Sequence, residues 1–264
     1  MDYGNTFEES VQLVNTRMRE ICDNMRNITG NTEPLNLQDM ASEVNKVYDA
    51  GVELGKSAGQ SEFWDNFQNH GELADYDYAF SNGNPSVPYP WNEHTFKPKY
   101  QIKPTSAVQM FYQSAVKDCQ AILDIDFSQC TSLTQMCETM YDGITHLGVI
   151  DARNATSLNQ MVKNSRSVKT IDKLILKDDG SQTMTQFANL AYGLENITIE
   201  GVIGSSSHFN GGALTHDSLM SIINALKDYA GSGKTYTLTL AKTHLNKLTD
   251  EEKAIATQKG WTLA

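Results

Sequence analysis

The stretches 125–136, IDFSQCTSLTQM, and 150–161, IDARNATSLNQM, align without a gap and decide how the rest of the chain is read. Ile125 falls on Ile150, Asp126 on Asp151, Thr131 on Thr156, Ser132 on Ser157, Leu133 on Leu158, Gln135 on Gln160 and Met136 on Met161. A period of about 25 residues is the mark of a repeat protein. The frame continues upstream as Ser106-Ala107-Val108-Gln109-Met110 and downstream as Thr183-Met184-Thr185-Gln186-Phe187, so the unit occurs at least four times.

Each unit has two parts. First comes a β-type run: YQI, AILDIDF, LGVIDA, DKLILK, LENITIEG and, after an insertion, YTLTL. Branched residues in such runs suit a strand buried on one or both faces. Ser or Thr follows, with Gln three residues later, the pattern of a capping box that starts a short helix. Strand, turn, helix and return in about 25 residues is the size of a leucine-rich repeat. Leu133, Leu158, Met136 and Met161 are expected to stack inside, with Ile125, Ile150, Ile175 and Ile199 as the buried strand positions. Asp126, Asp151 and Glu200 would then face outward as ligand-facing candidates, or simply form the solvated face that keeps a sheet soluble.

The tail departs from the rhythm. LTHDSLMSIINALKDY (214–229) places Leu219, Ile222, Ile223 and Leu226 at helical spacing, and Thr249-x-x-Glu252 is a capping box opening a last helix before KGWTL. A longer helix and a terminal aromatic fit a C-terminal cap.

Toward the N-terminus, Phe7, Val11, Val14, Met18, Ile21, Met25 and Ile28 alternate spacings of four and three, the a/d seam of a coiled coil. The seam stops at Thr29-Gly30-Asn31-Thr32-Glu33-Pro34, where Gly and Pro end a helix. A second run, with Met40, Val44 and Val47, resumes the spacing. The two helices either pack within the chain or self-associate. A strict two-in-seven seam is narrower than a globular core helix needs, which favours self-association into a homotrimer. Between them and the repeats, Tyr76, Tyr78, Phe80, Tyr89, Trp91, Phe96 and Tyr100 are interleaved with Gly, Asn and Pro, giving either a carbohydrate-binding patch or an N-terminal cap for the repeat core.

Composition sets the function class. The net charge of -11 leaves no clustered Lys and Arg for phosphate backbones, so nucleic acid is not an expected partner. Cys22, Cys119, Cys130 and Cys137 have neither zinc nor disulfide spacing. The opening MDYGNTFEES has no cationic start or apolar run, so no leader and no membrane insertion are expected.

The motifs that approach catalytic or ligand-binding signatures are incomplete. Gly231-Ser232-Gly233-Lys234-Thr235 ends like a phosphate loop but has Asp228 where the first Gly belongs, and it leads into a strand. Asp124-Ile125-Asp126 opens like a calcium loop but carries Gln129 in place of the turn Gly and Gln135 in place of the closing Glu. The six histidines are scattered. The expectation is a non-enzyme with no cofactor, no metal and no catalytic residues; only carboxylates paired across space would alter that.

The segment Ile21–Val47, ICDNMRNITGNTEPLNLQDMASEVNKV, resembles one found in tail and baseplate-appendage proteins of Firmicutes phages and prophages, with Ile21, Met25, Arg26, Thr29, Gly30, Leu35, Met40, Ala41 and Val44 at the matching positions. Ile28 stands where that family usually has Lys. Residues 100–264 are similar to BspA-like leucine-rich repeats, which occur in such virion proteins and in bacterial surface adhesins. The resemblance implies an α+β repeat protein: an N-terminal helical coiled-coil segment (1–60), an aromatic-rich linker and cap (61–100), and a short leucine-rich-repeat-type solenoid of strand-helix units (101–264). It implies a virion structural protein made in the host cytoplasm, contacting itself, other virion proteins and a host cell-surface glycan or protein. A bacterial surface adhesin is the alternative.

Overall fold

The computed structural model describes residues 76, 78–81, 100–114 and 116–264. They belong to a compact unit spanning Asp65–Ala264. The oligomerisation seam from Phe7 to Val47, and with it the expected coiled coil, lies outside the described residues.

The strand-helix solenoid is not what forms. In chain order the elements are α1 (Gln120–Leu123), β1 (His146–Asp151), β2 (Thr170–Ile175), β3 (Asn196–Glu200), β4 (Ser207–Phe209), α2 (His216–Asn224), β5 (Tyr236–Leu240), α3 (Lys242–Leu245), α4 (Asp250–Gln258) and β6 (Trp261–Leu263). The strands make two separate three-stranded parallel sheets, β1-β2-β3 and β4-β5-β6. Among the described residues, no helix starts at the four Ser/Thr-x-x-Gln frames, 106–110, 132–136, 157–161 and 183–187. The run AILDIDF, expected as a strand, contains α1 instead, and YQI has no strand.

The glutamines explain why. In a capping box the third residue is already helical, but Gln109, Gln135, Gln160 and Gln186 all have positive φ, +54° to +59°. A left-handed residue cannot continue a right-handed helix. It is the third residue of a tight turn, as in Leu133–Met136, where the Met136 N–H donates to Leu133 O at 3.2 Å. This geometry frees alternate N–H groups to point sideways into the next layer. Leu133 N–H donates to Ser157 O (2.9 Å) and Gln135 N–H to Asn159 O (2.9 Å), while Leu158 and Gln160 donate in turn to Thr183 O and Thr185 O. A helix would have used those groups within its own turns. The serine meant as a helix cap bonds across layers: Ser157 Oγ lies 2.8 Å from Thr134 Oγ1.

Burial follows the repeat. Leu133, Leu158, Met136 and Met161 are fully buried, as are Ile125 and Ile150. Ile175 is not: β1 and β2 pair at a constant offset of 24 residues rather than 25, which sets Leu174 beside Ile150, and the shift in the pairing of β2 with β3 sets Leu174 beside Ile199 as well. A one-residue shift exchanges the faces of a strand. At the N-terminal end Tyr76 and Phe80 are buried, and the Phe80 ring lies 5.3 Å from that of Phe111. Tyr76 and Phe80 donate their N–H groups to Ser106 O and Met110 O, extending the same ladder.

The sheet β1-β2-β3 ends without a fourth strand. Ser218 and Ser221 on α2 accept hydrogen bonds from the Ile197 and Ile199 N–H groups at 2.9 and 2.8 Å, closing the edge. Thr215 caps α2, and the expected box Thr249–Glu252 caps α4 with both of its hydrogen bonds in place. Trp261 is buried against Tyr229 and Tyr236 at the C-terminal end.

Candidate functional site

The outward side chains of β1-β2-β3 and of the loops entering them form the polar surface that the repeat presents. All three carboxylates expected there are engaged. Asp126 accepts from the Ser128 N–H at 3.0 Å and lies 3.6 Å from Lys103. The Ser128 hydrogen bonds, with help from Lys103, hold its carboxyl below the usual range. Asp151 takes Nε and Nη2 of Arg153 at 3.0 and 2.6 Å, and that guanidinium is the main cause of its lowered pKa. Glu200 receives Lys173 at 3.0 Å.

Register brings two of the three together. Asp151 and Glu200 flank Ile175 at one end of the sheet, with Arg153 close enough to feel both Asp151 and Glu200. Asp126 sits at the loop that follows α1 in the preceding layer, where its N–H donates to Ile102 O. The surface is therefore a mosaic of alternating charge rather than an acidic strip.

The opposite end of the sheet holds an open groove of about 510 Å³, lined by Thr170, Asp172, Asn196, Thr198, Thr215 and Asp217 among others. Thr170 and Asn196 are paired in register on neighbouring strands. Asp172 accepts a hydrogen bond from the His146 ring, whose Nε2 is 2.7 Å away. Hydroxyls, an amide and two carboxylates can exchange hydrogen bonds with a hydroxyl-rich ligand. Sequence reading did not single out these residues; their signal was polar side chains at outward strand positions, which any solvated strand also shows.

Elsewhere the chemistry is structural. Cys130 and Cys137 are buried, Cys130 donating to Ser132 O at 3.0 Å, and burial pushes the Cys137 thiol far up. Among the described residues no three His, Cys, Asp or Glu side chains are grouped to hold a metal ion, and no helix is long and apolar enough to cross a membrane. A scan against protein-family models, a search of curated proteins and a search of solved structures each return no match.

Proposed function

We propose that this chain is a structural protein of a phage virion, belonging to a tail or baseplate appendage, which assembles through residues 1–60 and offers its layered unit to other virion proteins and to a host surface. The observation that carries the reading is the continuous mosaic on β1-β2-β3, in which Asp151 meets Arg153 and Lys173 meets Glu200 along neighbouring layers. A charge-patterned open surface can set specificity and register against a macromolecule of complementary charge, whereas enclosed apolar pockets suit small molecules. The resemblance of Ile21–Val47 to tail-appendage proteins supports the location.

Mass spectrometry of purified particles, with antibody labelling in the electron microscope, tests it. The chain is expected in the particle at the tail or baseplate. Its absence from particles and presence on bacterial envelopes would replace this reading with that of a surface adhesin. Assembly is tested by sedimentation of the full chain against one starting at Gly59: the full chain should run as a trimer and the shorter one as a monomer. A full-length monomer at micromolar concentration overturns the assembly role of the Phe7–Val47 seam.

A further inference from the structure

A second surface feature stands apart from both the charge mosaic and the groove. Tyr141, Arg166 and Tyr192 occupy the equivalent place in three successive layers, each following its layer's core residue, Leu133, Leu158 or Met184, at the same interval. The Arg166 guanidinium carbon lies 5.3 Å from the centre of the Tyr141 ring and 5.9 Å from that of Tyr192. Both rings are 56% exposed. The other described arginine, Arg153, is neutralised by Asp151. Among the described residues, Arg166 has no carboxylate within ion-pair distance.

We infer that Arg166, clamped between Tyr141 and Tyr192, binds an oxyanion, a carboxylate or a phosphate, carried by a cell-surface polysaccharide. The ring faces hold the guanidinium by cation–π attraction. That contact occupies its faces and leaves its N–H edge to meet an anion as a two-pronged fork. Fixing the side chain in advance removes much of the ordering entropy that binding would otherwise cost. The base beneath is stiff: Arg166 N–H donates to Met140 O at 2.7 Å, and a Cβ on Gly193 would fall 2.5 Å from Arg166 O, so the layers are in direct backbone contact.

The neighbours favour a glycan over a peptide. Gln113, Thr139 and Asn164 offer amides and a hydroxyl on the adjoining turns, and the exposed tyrosines offer hydroxyls and ring surface for a sugar. The backbone N–H groups of these turns are already used between layers: Gln113, Thr139 and Asn164 donate to Glu138 O, Lys163 O and Asn189 O. A peptide strand would find no such donors to pair with. On a chain of net charge -11, an arginine without a carboxylate partner is a local exception suited to an anion. The inference rests on the surface-binding reading above for the source of the ligand alone.

The full chain would be tested by biolayer interferometry on immobilised polygalacturonate, poly(glycerol phosphate), neutral dextran and poly-glutamate. Binding to at least one of the two anionic polymers but not to dextran is expected, and the stronger of the two identifies carboxylate or phosphate as the group read. Arg166→Gln should weaken it by about tenfold or more, the scale of a charge-assisted pair. Arg166→Lys, which keeps the charge but not the fork, should fall between, and circular dichroism should be unchanged in both variants. Undiminished binding by Arg166→Gln, no binding to either anionic polymer, or tighter binding to poly-glutamate would overturn the inference. Any of these in a chain that is found in virions would leave the structural role standing.

Discussion

Nε2 of Gln160 donates to Oε1 of Gln186 at 2.9 Å, and the two residues, both left-handed, stand at the same turn of successive layers. Gln109 and Gln135 make the same bond at 2.9 Å. The side chain thus links the layers at a backbone position that a non-glycine residue adopts only at some cost. Gln160→Ala keeps the backbone strain and loses the link, and should destabilise by about 1–2 kcal/mol. Gln160→Gly loses the link but relieves the strain, and should cost less than Gln160→Ala. Chemical denaturation of the two variants checks the order; the reverse order would mean that this turn is not left-handed in solution.

Leu158 and Ser157 are neighbours with different duties. Leu158 is fully buried, so Leu158→Ala should open a cavity and cost about 2–5 kcal/mol. Ser157 Oγ touches Thr134 Oγ1 at 2.8 Å and lies 3.4 Å from the Asn159 nitrogen, both half-buried. Ser157→Ala should cost about 0.5–1.5 kcal/mol, the worth of a typical hydrogen bond. Thermal unfolding of the two variants measures both.

What was legible in the sequence was the layer, and what was not was its second half. Leu133 with Leu158, and Met136 with Met161, were readable as stacked core because identical apolar residues recurred at one interval. The helices were misread because Ser-x-x-Gln means one thing locally and another between layers. A capping box satisfies N–H groups within a chain segment, whereas these N–H groups are satisfied by the next layer, and no local pattern records that choice. Ile175 was misplaced for a related reason, since β2 pairs with β1 at an offset of 24 residues rather than the 25 of the aligned units, which TIDKLI alone does not record. The groove at Thr170, Asp172 and Asn196 and the Tyr141–Arg166–Tyr192 column arise only when layers stack. The repeat spacing predicted that equivalent residues would be neighbours, and comparing Tyr141, Arg166 and Tyr192 down that column would have found the second.

Gly204 marks the tightest contact between layers. A Cβ there would lie 2.0 Å from Gly180 O and 2.7 Å from Gly180 C, both backbone atoms that have no rotamer to retreat into. Gly204→Ala should destabilise by about 3 kcal/mol or more, at the upper end of overpacking. Gly231 has nothing within 4 Å of its Cβ direction, but its φ of +73° makes Gly231→Ala cost about 1 kcal/mol. Denaturant midpoints of the two variants should differ accordingly, and equal midpoints would show that the layers near Gly204 can separate.

His244 should set the first step of acid sensitivity. It is fully buried, with Nδ1 3.0 Å from Phe209 O and Nε2 3.3 Å from Gly212 O. Burial is the dominant influence and lowers its pKa below the ordinary 6.5; the two carbonyls oppose this but do not overcome it. The folded protein therefore binds a proton at His244 less readily than the unfolded chain does. Stability from this group is complete above the unfolded pKa and declines as pH falls from about 6.5 toward the lower folded value. Asp126, Asp142, Asp151 and Glu252 also have lowered pKa values, but from ordinary values near 4, so their loss comes in a separate, more acidic window. Denaturation curves between pH 7.5 and 5 should show falling stability in the wild type. His244→Gln, which keeps a donor but does not titrate, should flatten the curve over that range while leaving the steeper loss below pH 4. A wild-type curve already flat between pH 7.5 and 5 would mean that the two carbonyls, rather than burial, govern this histidine.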